Sequence, residues 1–352
     1  MHDTKREYPK LLKIWLIIGL LMIFGQVVIG GITRLTGSGL SITKWEIVTG
    51  SLPPMGERAW NEAFDLYKAT PQYQKINAGM SLAEFKFIYF WEYFHRLWAR
   101  LMGFVFAIPF FIFWRKGWID RVLMRRLAIV IGLAALAASF GWIMVASGLV
   151  NRPWVNAYKL TLHLSIGLSL YGYLFWTTLG VFYPDRGMVR HNNVNKWAKI
   201  MTVVLGVQIV LGGIMSGMKA GLFYPTWPDM NGELIPALLF QSTQWNVDNF
   251  VHYDSAPFMS ALIQVLHRLT AYGLTIIVLA YFFKARKLAA PPVFHTWLYL
   301  LITLLVVQVT LGILTVVSCV GLVPVGLGVL HQAGALLLLT AALFQNYAVL
   351  EK

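Results

Sequence analysis

Eight continuous apolar runs, at about 11–32, 86–114, 127–149, 158–182, 197–217, 258–283, 294–318 and 326–348, constrain this chain more than any other feature. Each is long enough to cross a bilayer as a helix, the only solution besides a closed barrel that satisfies backbone polar groups in lipid. Composition agrees: 58% of the 352 residues are apolar and 12% are charged, against about one quarter charged in a soluble domain. An ordinary soluble enzyme is excluded, and so is a disordered chain, which needs low hydrophobicity. The expected fold class is all-α, a polytopic membrane protein of eight transmembrane helices. The single cysteine, Cys319, is expected in the seventh span, and with one cysteine no intrachain disulfide and no thiolate metal cluster is available. A metal would have to rest on histidine, of which there are eight.

The net charge of +14 reads as membrane topology. No Lys/Arg block is interleaved with stacking aromatics, so nucleic acid is not expected as a partner. The basic residues crowd into short segments: Lys5, Arg6, Lys10 and Lys13 in the N-terminal tail, Arg115 to Arg126 in the second connection, Arg186, Arg190 and Lys196 in the fourth, and Lys284 to Lys287 in the sixth. The long connections 33–85 and 218–257 are mixed or acidic. Basic short loops mark the cytoplasmic side, which puts both termini in the cytoplasm and the long loops outside. The N-terminus carries Asp3 and Glu7 and is too short for an Arg/Ser-rich transit peptide, so a bacterial inner membrane is expected rather than a mitochondrion.

The chain also repeats itself. "QVVIGGITRLTGSGLSITKW" from Gln26 aligns with "QIVLGGIMSGMKAGLFYPTW" from Gln208, "HRLWA" at His95 with "HRLTA" at His267, and "LHLSIG" at His163 with "LHQAG" at His331. The order is kept and the offset drifts slowly, as in a tandem duplication of a four-helix unit. The expected units are 1–190 and 191–352. Each holds an even number of spans, so they are parallel repeats rather than inverted ones.

His95, His163, His267 and His331 fall within the second, fourth, sixth and eighth runs; His2, His191, His252 and His295 lie in tails, loops or at a span edge. A single intramembrane histidine is as readily a hydrogen-bonded packing residue. Two per duplicated unit, on different helices of a bundle, can instead face one another across the core, the arrangement that a six-coordinate haem needs. Zinc would want three or four convergent ligands. All four histidines are expected in the outer half of the bilayer, with two haems side by side.

The second run also carries Glu92, Arg96 and Arg100. Charges at membrane depth are expensive and default to functional candidates. Glu92 lies three residues before His95 and four before Arg96, so all three share a helix face. A self-neutralising Glu92–Arg96 ion pair is one reading. The other starts from asymmetry: the position matching Glu92 in the second unit is Gln264, so only one unit offers a carboxylate beside its ligand, as a base or electrostatic stabiliser. Arg96 and Arg268 follow a histidine in each unit and suit haem propionates, or snorkel to the interface. Arg34, heading the first outer loop, is a weaker propionate candidate, and Lys219 holds a similar place in the second. The matched Trp45 and Trp227 are candidates to cover haem edges. Gly30, Gly31, Gly212 and Gly213 suit close helix approach.

"GGITRLTGSGLSITKW", "EYFHRLWAR", "YKLTLHLSIG", "LHRLTAY" and "LHQAGA" resemble the haem A synthase family, in order and over nearly the whole chain. The resemblance implies an eight-helix membrane enzyme that oxidises the C8 methyl of haem O to the formyl of haem A, through the hydroxymethyl, for assembly of cytochrome c oxidase. It implies that His95 and His163 embrace the substrate haem O, that His267 and His331 ligate a resident haem b, and that Glu92 is the reactive glutamate. Some members carry a cysteine pair in the outer loops; this chain resembles the cysteine-free branch found in mitochondria and many Gram-negative bacteria. The implied partners are the haem O synthase (a protoporphyrin farnesyltransferase), oxidase assembly factors, an electron donor or acceptor, membrane lipid and, in a homo-oligomer, a second copy. Two other readings compete. A dihaem quinol-oxidising electron-transfer protein would use the same four histidines, and the Glu92/Gln264 difference argues against it. A solute transporter would be polytopic and duplicated too, but has no role for four matched histidines.

Overall fold

The computed structural model describes residues 7–43, 52–148, 153–184 and 187–351. In chain order its helices are α1 (Lys10–Leu35), α2 (Gly56–Lys68), α3 (Pro71–Lys75), α4 (Leu82–Arg115), α5 (Arg121–Gly148), α6 (Ala157–Phe182), α7 (Asn192–Gly217), α8 (Val247–Val251), α9 (Phe258–Ala285), α10 (Pro292–Val317) and α11 (Val325–Ala348). All but α2, α3 and α8 are long and apolar enough to cross a membrane. The chain is an all-α, multi-pass membrane protein.

Each apolar run forms one helix, and the differences lie at the ends. Polar caps sit outside an apolar stretch, so helices start earlier than hydropathy alone shows. At α4, Ser81 and Glu84 form a reciprocal capping box ahead of the long apolar run. At α7 the His191 side chain accepts from the Val194 N–H. The helix α1 runs through Arg34, which therefore occupies its last turn instead of heading a loop. The helix α10 stops at Val317, so Cys319 lies just beyond the seventh span, its thiol 3.2 Å from the Thr315 carbonyl. The connection 33–85 contains a small aromatic core of its own: Phe64 and Tyr67, one turn apart on α2, bury against Phe85 and Ile88 of α4.

The long helices pack as consecutive pairs, α1 with α4, α5 with α6, α7 with α9 and α10 with α11. The four helices α1, α6, α7 and α11 also touch one another and form the centre. Neighbouring glycines divide the labour there. A Cβ on Gly31 would meet the Gln332 side chain of α11 at 3.1 Å, and one on Gly213 would meet Thr161 of α6 at 3.1 Å. Their neighbours Gly30 and Gly212 face their own helix partners.

The two halves differ at the periphery. The helix α9 packs on α10 and closes the ring α7–α9–α10–α11, whereas among the described residues α4 and α5 share no comparable contact. The ring α1–α4–α5–α6 is therefore open on one side. Its two flanking helices bury almost none of their apolar stretch, while half of that of α6 and α11 is buried. At the opposite end from the long loops, a short parallel pair joins β1 (Val189–Arg190) to β2 (Val349–Leu350).

Candidate active site

The four intramembrane histidines stand on the second helix of each pair: His95 on α4, His163 on α6, His267 on α9 and His331 on α11. His95 and His163 lie within electrostatic range of one another, and so do His267 and His331. All four histidines are half-buried. Among the described residues no cluster of three or more His, Cys, Asp or Glu side chains could hold a bare metal ion. Two imidazoles per ring of helices, with buried nitrogens left without a partner at Nδ1 of His267 and His331, are a donor set that fits a haem iron ligated from both faces.

Glu92 is buried one turn before His95. Its Oε2 accepts three hydrogen bonds, from the Ser41 N–H at 2.7 Å, the Ser41 hydroxyl at 2.7 Å and the Ile42 N–H at 2.9 Å. Its Oε1 pairs with Arg96 at 2.5 Å. The ion pair read from the spacing is present, and the carboxylate also clamps the loop after α1. In the matched place of the other ring, Gln264 donates to the Tyr224 carbonyl at 2.8 Å. Ile42 and Tyr224 correspond in the repeat. A loop that offers N–H groups thus meets the carboxylate, and a loop that offers a carbonyl meets the carboxamide.

The second arginine follows the same rule. Arg268 donates to the carbonyls of Thr226 and Asp229, each at 2.7 Å, and of Pro228 at 3.2 Å. The Asp229 carboxyl is held below its usual range by the Thr226 hydroxyl, then by the Gly232 N–H, with a smaller share from Arg268. Arg34 reaches across the two halves and donates to the carbonyls of Ser216 and Gly217 at 3.0 and 3.2 Å, at the C-terminus of α7; its Nε is buried without a partner. Trp227 is partly exposed and donates to the Tyr272 hydroxyl at 3.2 Å. Trp45 lies outside the described residues. Burial and the nearby Arg34 push the Lys219 ammonium down.

Three participants escape a reading based on the histidines alone. Gln308 donates to the His331 carbonyl at 3.0 Å, and Gly141 and Gly312 lie against His163 and His331. A signal for them exists. "QVVIG", "QIVLG" and "QVTLG" recur at Gln26, Gln208 and Gln308, and "AASFG" at Ala137 keeps the glycine.

The family profile described as "Cytochrome oxidase assembly protein" (COX15-CtaA) matches residues 13–343. The chain belongs to the cytochrome oxidase assembly protein family. Its similarity to curated members runs nearly end to end. A heme A synthase of Nitrosospira multiformis is 40% identical over 348 residues, 98% of this chain and 95% of that protein. One of Parvibaculum lavamentivorans is 42% identical over 332 residues, covering 94% and 92%. One of Flavobacterium johnsoniae is 36% identical over 331 residues, covering 93% and 94%. Within this COX15-CtaA member, the described glutamate, histidines and arginines all fall inside the matched span.

Proposed function

We propose that this chain oxidises the C8 methyl of haem O to the formyl group of haem A, with the ring α1–α4–α5–α6 (residues 1–190) holding the substrate and residues 191–352 holding a resident haem b. The observation that carries the division is the pairing of two differences on one ring. Among the described residues, only that ring has a carboxylate beside its histidine, and only that ring is open between its flanking helices. A substrate must come and go, and one with a long apolar tail can do so sideways from lipid. A resident cofactor needs a closed ring.

His95 and His163 would hold the substrate from both faces and fix the methyl relative to Glu92. Each oxidation round takes two electrons and one proton from the substrate carbon and adds the hydroxyl of a water, whose other proton is released; after two rounds the gem-diol loses water to give the aldehyde, and the four electrons leave to an external one-electron acceptor. Positive charge developing on that carbon is stabilised by a fixed carboxylate, and Glu92 is fixed by Ser41, Ile42 and Arg96. Its oxygens can also take the departing protons. His267 and His331 would hold a haem b, which when bound would supply one-electron transfer. Arg96, Arg268 and Arg34 would supply guanidinium groups to haem propionates, and Trp227 and Trp45 would cover haem edges. The same reading places both termini in the cytoplasm of a bacterial inner membrane. It names the haem O-producing farnesyltransferase and oxidase assembly factors as partners, with a homo-oligomer as the assembly to look for.

Pigment extraction tests the reading. Protein purified from cells that make haem O should carry haem b together with haem O or haem A. Haem b alone, at two per chain, would favour the electron-transfer reading.

A further inference from the structure

Each of the four histidines is seated against a glycine of the preceding long helix: His95 against Gly30, His163 against Gly141, His267 against Gly212 and His331 against Gly312. A Cβ at these glycines would lie 3.1, 3.0, 3.2 and 3.0 Å from the ring Cε1. In all four cases Nδ1 is the ring nitrogen nearer the glycine and Nε2 the farther one.

The backbone explains what a glycine does there. In a helix, the side chain of a residue lies beside the carbonyl four residues earlier. The Ser139 hydroxyl on α5 reaches the Ala135 carbonyl in this way, at 2.9 Å. Where the residue is glycine, that carbonyl is open to a donor from a neighbouring helix. At Gly141 such a donor is present: the Ala137 carbonyl, four residues earlier, lies 3.0 Å from Nδ1 of His163. At Gly212 and Gly312 the corresponding residues are Gln208 and Gln308. Nδ1 of His267 and of His331 is buried against the glycine and has no hydrogen-bond partner among the described residues. At Gly30 the corresponding residue is Gln26, whose amide nitrogen lies 3.3 Å from Nδ1 and 3.1 Å from Nε2 of His95 and so selects neither tautomer. The Gln208 amide nitrogen lies 3.1 Å from Nε2 of His267. An amide NH2 only donates, so at His267 Nε2 bears the lone pair and the proton sits on Nδ1.

We propose that Gly141, Gly212 and Gly312 are positioning residues: each opens a helix carbonyl to the Nδ1–H of the facing histidine, which fixes the ring tautomer and presents the Nε2 lone pair to a haem iron. The proposal rests on the four-histidine haem reading above. A ring whose Nδ1–H is hydrogen-bonded is a stronger donor, so the glycines set ligand strength as well as ring orientation.

The test uses full-length protein purified in detergent with haem b bound. Gly212→Ala and Gly312→Ala are compared with Gly206→Ala and Gly273→Ala, two glycines of α7 and α9 with open space around them. The controls should keep wild-type haem b content and midpoint potential. The Gly212 and Gly312 variants should insert at wild-type levels and bind haem b about 10–100-fold more weakly, the usual cost of losing a ligand's outer partner. The haem b they retain should titrate at a higher midpoint potential, because a weaker donor favours the ferric state less. Wild-type affinity and potential in both variants overturn the proposal. If neither variant accumulates, the wild-type ferric haem decides. Hyperfine spectroscopy with 15N-histidine should show an exchangeable, hydrogen-bonded proton on the nitrogen remote from iron, and a remote nitrogen without that bond overturns the proposal. His267→Ala separates the two levels. Retention of full haem b by that variant refutes the ligand reading, whereas its loss alongside unchanged glycine variants refutes the glycine role alone.

Discussion

Glu92 accepts both the backbone N–H and the hydroxyl of Ser41, each at 2.7 Å, across 51 residues of chain. This makes the carboxylate a clamp on the loop that follows α1, not only the counter-charge of Arg96. Any variant at this position therefore reports on loop order as well as on chemistry, and the two have to be read separately.

Glu92→Gln keeps the shape and one acceptor oxygen but turns an N–H toward either the Ser41 loop or Arg96. Haem A output should fall by on the order of 100–1000-fold, the usual loss for an electrostatic stabiliser, with haem O or its hydroxymethyl form accumulating in protein that still carries haem b. Glu92→Asp keeps the charge and should retain more haem A than Glu92→Gln. Pigment extraction beside an expression blot checks both. Near-normal haem A from well-inserted Glu92→Gln protein sinks the chemical role and leaves the loop clamp.

The histidine pairs should separate cleanly. His267→Ala and His331→Ala should each abolish the low-spin haem b spectrum. His95→Ala and His163→Ala should leave that spectrum intact and abolish haem A. A haem b spectrum that survives both second-ring variants refutes the assignment of the resident cofactor.

Arg34→Ala removes two charge-assisted hydrogen bonds that join the end of α1 to the end of α7. Such bonds are worth about 1.5–3 kcal/mol each when one partner is charged, so the melting temperature in detergent should drop by several degrees. If Arg34 serves only this strut, haem b content at low temperature should be unchanged. Loss of haem O retention as well would assign it a propionate.

The loop around Asp229 should respond to acid. Its carboxyl is held below the ordinary value of 3.8 by Thr226, Gly232 and Arg268, so its contribution to loop order is present above about that pH and lost as pH falls through the lower folded value. Hydrogen exchange at Asn231, whose N–H donates to the Thr226 hydroxyl at 2.7 Å, should be flat from neutral pH down to about 4 once corrected for intrinsic rate. Asp229→Asn should remove the acid step; an unchanged step locates it elsewhere.

Orientation is open to a direct check. Reporter fusions at 120 and 190 should read cytoplasmic and those at 60 and 240 periplasmic. A reversed pattern would move all four histidines to the inner half of the membrane.

Fold class and much of the site were legible in the chain because their signals are local or repeated. A run of apolar residues has to bond its own backbone in lipid, so Lys10–Leu35 and its seven counterparts become helices whatever surrounds them. His95, Glu92 and Arg96 share a face because three and four residues are one helical turn. The ends of α4 and α7 were not legible from hydropathy, because Ser81 and His191 cap them with polar side chains outside the apolar stretch. The rest depended on which helix lies against which. Whether Glu92 meets N–H groups or carbonyls is set by the path of a loop 51 residues away. That Gly30 faces His95 while Gly31 faces Gln332 follows from the register of three helices. The gap between α4 and α5, and its absence between α9 and α10, is a property of side-chain packing across helices. Periodicity places residues on a face, but dispersion and steric fit between distant segments choose the partner of that face, and no local pattern in the chain encodes that choice.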